Sequence, residues 1–132
     1  MNSHAHYDHA GGLAELKKVT GAKFVASEPD APLLRSGGHG DFRFGDTLTF
    51  PPIEPDQIVH DGESIQLGNQ RMIAHLTPGH TKGCTTWTTK IRDGKKIYDA
   101  SSQAVRAYSI TNSSARKVTR VSHPTSKGLS RY

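Results

Sequence analysis

Three histidines and a carboxylate stand within six residues near the start of the chain, in His4-Ala5-His6-Tyr7-Asp8-His9, and Gly11-Gly12 follow directly. Imidazole nitrogen and carboxylate oxygen are the donors that zinc takes. In an extended segment, side chains two residues apart point the same way, so His4 and His6 can reach one metal ion. Asp8 and His9 come where the chain turns, placed to swing toward a second ion beside the first. Such a stretch needs further ligands from elsewhere in the chain, carried on a rigid scaffold.

The segments that follow read as alternating helix and strand. Leu13, Leu16 and Val19 recur at spacing three, which predicts a helix over Ala10 to Thr20 with Gly21 as its stop. Lys23 to Ser27 reads as a strand, giving a helix–strand unit of an α/β layered fold. Glu28-Pro29-Asp30 starts a short helix that carries Leu33 and Leu34. Ser36-Gly37-Gly38-His39-Gly40-Asp41 is a loop, in which His39 is read as an exposed loop histidine. From Thr47 onward the pattern turns to short strands: Leu48 and Phe50 alternate, then Ile58-Val59-His60, Ser64 to Gly68, Arg71 to Leu76, and Thr85 to Ile91 with Trp87 in its middle. Asp93-Gly94 is a hairpin signal into Lys96-Ile97-Tyr98. His60 and His75 fall within strand patterns and are left out of the ligand set.

Pro78-Gly79 turns the chain sharply after the strand ending at Leu76, and His80 follows at once. His80 is the natural third imidazole for the metal held by His4 and His6, because three histidines and a water make an open, catalytic zinc site. Here the chain resembles a known family. The stretch His4 to His9 with Gly11-Gly12, joined to Thr77-Pro78-Gly79-His80-Thr81-Lys82-Gly83-Cys84-Thr85-Thr86-Trp87-Thr88, is similar to the metallo-beta-lactamase superfamily. The finer likeness is to its third lactamase subclass, supported by Ser36-Gly37-Gly38 through Asp41-Phe42-Arg43-Phe44-Gly45 and by His75-Leu76. It covers residues 2 to about 102.

The resemblance implies an α/β fold, the metallo-beta-lactamase αββα sandwich, present here as an incomplete central portion. It implies two zinc ions, with His4, His6 and His80 on the first and Asp8 and His9 on the second, which is completed by one more histidine downstream. It implies a hydrolase that opens the beta-lactam ring of an antibiotic with a metal-bound hydroxide, oriented by Asp8 as the catalytic carboxylate. The partner is then a small-molecule beta-lactam. Cys84 is read as packing, and Tyr7 as a support between ligands. Two alternatives share the motif: a thioester hydrolase of the glyoxalase II type, against which Thr85-Thr86-Trp87 argues, and a catalytically dead zinc-binding fragment.

Charge and composition bound the remaining possibilities. The net charge of +5 is uneven: residues 1–99 hold 11 Lys and Arg against 12 Asp and Glu, whereas residues 100–132 hold six Lys and Arg and no acid. The expected organisation is a partial metallo-beta-lactamase domain over 1–102 and a basic, non-native or disordered tail over 103–132. That tail has no helical or aromatic pattern suited to nucleic acid, so no nucleic-acid partner is expected. No apolar run of about 18 residues exists, so no membrane partner is expected. The family resemblance implies a periplasmic protein, while the chain as written carries no secretion signal and reads as cytoplasmic. Its single cysteine cannot form an internal disulfide. The strand expected to lead into His4 is almost absent, which predicts an exposed sheet edge.

The family likeness stops after about Ser102, and His123 does not fit the family's downstream histidine. Shifting the reading frame by one base lets Thr119 to His123 read Tyr-Pro-Gly-Ile-Ala, and Thr125 to Arg131 read Asp-Phe-Glu-Arg-Thr-Phe-Ala. Both resemble a segment that follows the Trp87 region in these lactamases. The tail is therefore expected to be an out-of-frame translation. Sequencing the coding DNA checks this: a one-base shift should open a frame that continues the family sequence, and a closed frame refutes it.

Overall fold

The computed structural model describes residues 1–102; the expected tail over 103–132, with His123, lies outside the described residues. The chain runs extended from Asn2 to His6 and then enters a single helical turn, α1 (Tyr7–Ala10). Helix α2 (Leu13–Thr20) follows, then β1 (Val25–Ser27), a 3-10 turn at Glu28–Asp30 and α3 (Ala31–Arg35). After a long loop come β2 (Gln57–Val59), β3 (Ser64–Leu67), β4 (Gln70–Leu76), β5 (Thr85–Asp93) and β6 (Lys96–Ser102). Strands β1 and β2 pair in parallel, and β3-β4-β5-β6 form an antiparallel sheet in sequence order. Among the described residues no helix is long and apolar enough to cross a membrane.

Strand β1 explains the layering. All three of its residues are buried, as befits a strand covered on both faces. Ala26, with Phe24 just before the strand, packs with Ala5, Ala10, Leu34, Phe50 and Ile53, against which Leu13, Ala14 and Leu33 also rest. Val25 points the other way and packs with Val59 of β2 and with Ala74 and Trp87 of the second sheet. The order is helices, then β1–β2, then the four-stranded sheet. These are three of the four layers of the expected sandwich, and among the described residues the helices form a single layer.

Several elements depart from the sequence reading. The expected helix over Ala10 to Thr20 is broken at Gly11-Gly12 and begins at Leu13. Its apolar spacing of three falls about 60° short of a full turn at each step. Leu13 therefore packs on the core while Leu16 and Val19 are exposed. The alternation of Leu48 and Phe50 does not make a strand. Phe50 is buried and its amide donates to the Gly37 carbonyl at 2.8 Å, but Leu48 is exposed. The Pro51-Pro52 pair that follows has no amide hydrogen to extend a ladder. Gly37 and Gly38, at φ of 68° and 87°, let this segment cross close above the loop, where a side chain at either would strike Phe50 or Leu48.

The residues preceding His4 are seated by backbone and side-chain bonds. The Asn2 amide donates to the Val25 carbonyl (3.0 Å), the Thr85 amide to the Ser3 carbonyl (2.8 Å), and Trp87 Nε1 to the Asn2 carbonyl (2.9 Å). The fourth tie is the buried carboxylate of Asp30. Its Oδ2 accepts the Ala5 amide at 2.9 Å and the Thr81 hydroxyl at 2.8 Å, and its Oδ1 accepts the Gly83 amide at 2.7 Å. Gly83 is obligatory there, since a Cβ would overlap Ser27 Oγ and the Asp30 backbone.

Replacing Asp30 by Asn turns one acceptor oxygen toward these donors into an NH2 group. Asp30→Asn is expected to lower stability by about 2–4 kcal/mol, the usual cost of breaking buried hydrogen bonds to a carboxylate. Denaturant unfolding followed through Trp87, the single tryptophan, measures it. A loss below about 1 kcal/mol would show that the tie is dispensable.

Candidate metal centre

His4 and His6 lie on the same side of the extended segment, as its backbone requires. His6 is the last extended residue (φ −107°, ψ 159°), and the helical turn closes behind it with the Ala10 amide donating to the His6 carbonyl at 2.7 Å. That reversal carries Asp8 and His9 back toward His4. The rings of His4 and His9 have centroids 4.1 Å apart.

His80 enters from the turn after β4, held beside the motif by the neighbouring Thr81 and Gly83 on Asp30. Its ring lies 4.7 Å from that of His4 and 4.5 Å from that of His6, centre to centre. His4, His6 and His80 each offer a ligand atom within 4.8 Å of the others, and so do His4, Asp8 and His9. All five residues singled out from the sequence are thus brought together in two overlapping groups that share His4. The first group is buried or half-buried, while Asp8 and His9 are exposed.

The electrostatics favour the neutral form of His4 and of His80. Burial, followed by the neighbouring His9, His6 and His80, pushes His4 down to about 4. Burial, with His6 and Arg43 beside it, also lowers His80. Ser3 Oγ lies 3.3 Å from His4 Nδ1, whereas His4 Nε2 is buried without a hydrogen-bond partner among the described residues. A buried, unpartnered ring nitrogen beside two further imidazoles is the donor set of a divalent metal. The residues fit such an ion.

Two contributors escaped sequence reading. Asp30 looked like a helix start and is instead the carboxylate that ties both halves of the motif. Asp41 looked like the end of a glycine loop and is instead buried, with Oδ2 3.3 Å from His6 Nε2. Burial raises the Asp41 carboxyl, but the Phe44 and Arg43 amides and then His6 outweigh it and hold the group below the ordinary aspartate value. Arg43 itself donates from Nη1 to His80 Nδ1 at 3.1 Å.

The other histidines stay apart from this centre. His39 is exposed, with Nδ1 3.4 Å from Asp46 Oδ1. His60 is exposed between Glu28 and Glu63, and His75 meets the Thr88 hydroxyl at 2.8 Å. Cys84 is buried and burial pushes its thiol up, in keeping with a packing role. Tyr7 is exposed. A cavity of about 350 Å³ opens beside the centre, lined by Pro29, Leu33, His39, Phe42 and Lys82 and reaching Asp41 and Thr81.

A family model described as the metallo-beta-lactamase superfamily matches residues 1–93. The chain belongs to the metallo-beta-lactamase superfamily. Its described residues superpose on the native FEZ-1 metallo-beta-lactamase from Legionella gormanii with a TM-score of 0.72 and 44% identity, over 75% of this chain and 38% of that one. The subclass B3 metallo-beta-lactamase BJP-1 of Bradyrhizobium japonicum gives 0.71 and 42%, over 76% and 38%. Among curated relatives, the hydroxyacylglutathione hydrolase of Maricaulis maris is 35% identical over 82 residues, 62% of this chain and 25% of that protein. An acyl-coenzyme A thioesterase of Gallus gallus is 25% identical over 118 residues, covering 75% of this chain and 41% of that protein. The chain therefore spans between a quarter and about two fifths of these relatives' length.

The low value of His4 fixes the sign of a pH effect on the metal-free chain. An unfolded histidine takes its proton near 6.5, whereas folded His4 takes it near 4. Between those values the unfolded state binds more protons, so stability falls as pH drops from about 6.5 toward 4. Trp87-monitored denaturation in a chelator should show roughly 1–3 kcal/mol less stability at the acid end, with a smaller difference in His4→Gln. An unchanged midpoint would show that folded His4 is readily protonated.

Proposed function

We propose that this chain carries the metal-binding part of a zinc-dependent hydrolase that opens beta-lactam rings. The observation that carries the reading is the cluster of three imidazoles, His4, His6 and His80, abutting Asp8 and His9, in a chain 44% identical over 75% of its length to a solved metallo-beta-lactamase. Two zinc ions bound to these groups would supply a water of lowered pKa and positive charge for the developing anion. His4, His6 and His80 would hold the first ion through imidazole lone pairs, and burial disfavours the protonated form of His4 and of His80. Asp8 and His9 contribute to the second. The exposed Asp8 carboxylate would accept a hydrogen bond from the attacking water and so orient it. Thr81 and Gly83, bonded to Asp30, keep the His80 turn from drifting away from the first motif; a shift of an ångström there is costly in rate.

A second reading is thioester hydrolysis of the glyoxalase II type, favoured by the curated relatives named hydroxyacylglutathione hydrolase. Both chemistries attack a carbonyl next to a leaving group, and the same ligands serve either. The Thr85-Thr86-Trp87 stretch beside the His80 turn supports the lactamase reading. A third reading, a chain that binds zinc without catalysis, remains as an outcome of the same experiment.

Zinc bound per chain and turnover of a chromogenic cephalosporin and a glutathione thioester separate the three readings, measured beside a version extended at both ends. Bound zinc with cephalosporin turnover above thioester turnover is the expected result. The reverse order moves the assignment to a thioesterase, and zinc without either turnover leaves a binding fragment. His80→Ala should weaken zinc binding by more than the roughly 10–100-fold typical of losing an outer partner. Unchanged binding would remove His80 from the centre.

A further inference from the structure

The proton positions in the histidine cluster follow from its two ends. Arg43 is at one end, and a guanidinium only donates. Its Nη1 donates to His80 Nδ1 at 3.1 Å, so that nitrogen is a lone pair. Neutral His80 then carries its proton on Nε2, which lies 3.0 Å from His6 Nδ1. His6 Nδ1 is therefore the acceptor, and neutral His6 carries its proton on Nε2. That nitrogen faces Asp41 Oδ2 at 3.3 Å. The chain of bonds runs from a group that only donates to one that accepts.

Asp41 is built to hold that last position. Its Oδ1 accepts the Arg43 and Phe44 amides at 2.7 and 2.9 Å. Its backbone exchanges bonds with Gly45 in both directions, at 3.2 and 2.8 Å. The Phe44 ring stands edge-on to His6 at 5.0 Å and closes the other side. Oδ2 alone is left over. It and His6 Nε2 are both buried and have no aligned hydrogen-bond partner among the described residues. They lie 3.3 Å from one another, a ring nitrogen facing a carboxylate oxygen. Leaving both unsatisfied would cost about 1–3 kcal/mol each.

We propose that Asp41 is the positioning residue of the metal centre: its Oδ2 holds the proton of His6 on Nε2 and so presents the Nδ1 lone pair to the ion. Outer carboxylates fix tautomer and ring orientation in this way at histidine metal sites generally. The proposal rests on the metal-site reading above.

Asn and Ala at position 41 separate this role from a structural one. Asp41→Asn keeps an oxygen for the Arg43 and Phe44 amides but turns an NH2 toward His6 Nε2. That NH2 needs an acceptor, so it draws the lone pair of His6 to Nε2 and moves the proton to Nδ1, the atom facing the ion. Asp41→Ala loses the turn bonds but leaves the tautomer free. Zinc affinity, measured by competition with a chromophoric chelator, should fall about 10–100-fold in Asp41→Asn, and further than in Asp41→Ala. Without metal, Asp41→Ala should be the less stable of the two. Cobalt(II) in place of zinc should give a weakened or shifted visible band in Asp41→Asn.

Wild-type affinity in Asp41→Asn, or a larger loss in Asp41→Ala, overturns the proposal. A readout without any substitution is ¹⁵N NMR of the metal-free wild-type imidazoles near neutral pH. The Nε2–H tautomer of His6 is expected there, and an Nδ1–H tautomer overturns the assignment. His4→Ala is the control for the site itself. If it binds zinc like the wild type, the metal-site reading fails; if it loses zinc while Asp41→Asn does not, only the role of Asp41 fails.

Discussion

The Asp30 carboxylate is the interaction on which this structure turns. It takes one donor from Ala5, between His4 and His6, and two from Thr81 and Gly83, which follow His80. These donors come from residues 25, 51 and 53 positions away. A buried carboxylate is costly unless its oxygens are used. Here that cost becomes a constraint: the folded state is favourable only when both segments are present to donate. Gly83 reinforces the constraint, because only a residue without a side chain lets the His80 turn sit against Asp30 and Ser27. The carboxylate thereby acts on the two halves of the histidine cluster without touching any of its rings.

Bringing the rings together creates a second tension. His4, His6 and His80 lie within about 5 Å of one another, centre to centre, and His9 lies 4.1 Å from His4, so three imidazoles crowd around His4. Burial and mutual repulsion both push His4 toward the neutral form. Neutral imidazoles still present lone pairs to a small volume, and His4 Nε2 finds no protein donor there. A cation answers both problems at once. The geometry that disfavours a proton therefore favours a metal, and the same close packing accounts for both.

What the sequence made legible was local. His4, His6, Asp8 and His9 announce themselves by spacing, and His80 by a Pro-Gly turn at a strand end. Strands β3 to β6 were readable because each is bounded by turn residues, down to the Asp93-Gly94 hairpin. Asp30 and Asp41 were not readable, because each acts on residues far away in sequence. Asp30 sits in Glu28-Pro29-Asp30, which has the composition of a helix start and forms one. Its larger role depends on Gly83, which no periodicity connects to it. The error at Leu16 and Val19 is of a different kind. A spacing of three looks helical yet walks around the helix, and only packing decides which residue stays on the core face. Leu48 and Phe50 alternate as strand residues do, but the loop glycines supplied one backbone bond rather than a ladder.

The loop from Ser36 to Asp46 places two groups of opposite sense on the cluster. Asp41 Oδ2 lies 3.3 Å from His6 Nε2, and His6 Nδ1 faces His80. Arg43 donates to His80 Nδ1, so the proton of His80 sits on Nε2, the edge turned toward His6. The first arrangement is already the one a metal requires, and the second is not. For His80 to become a ligand through Nε2, its proton must move to Nδ1, where Arg43 can no longer donate. An exposed guanidinium on an exposed stretch of loop can leave at little cost, whereas the buried, doubly anchored Asp41 cannot.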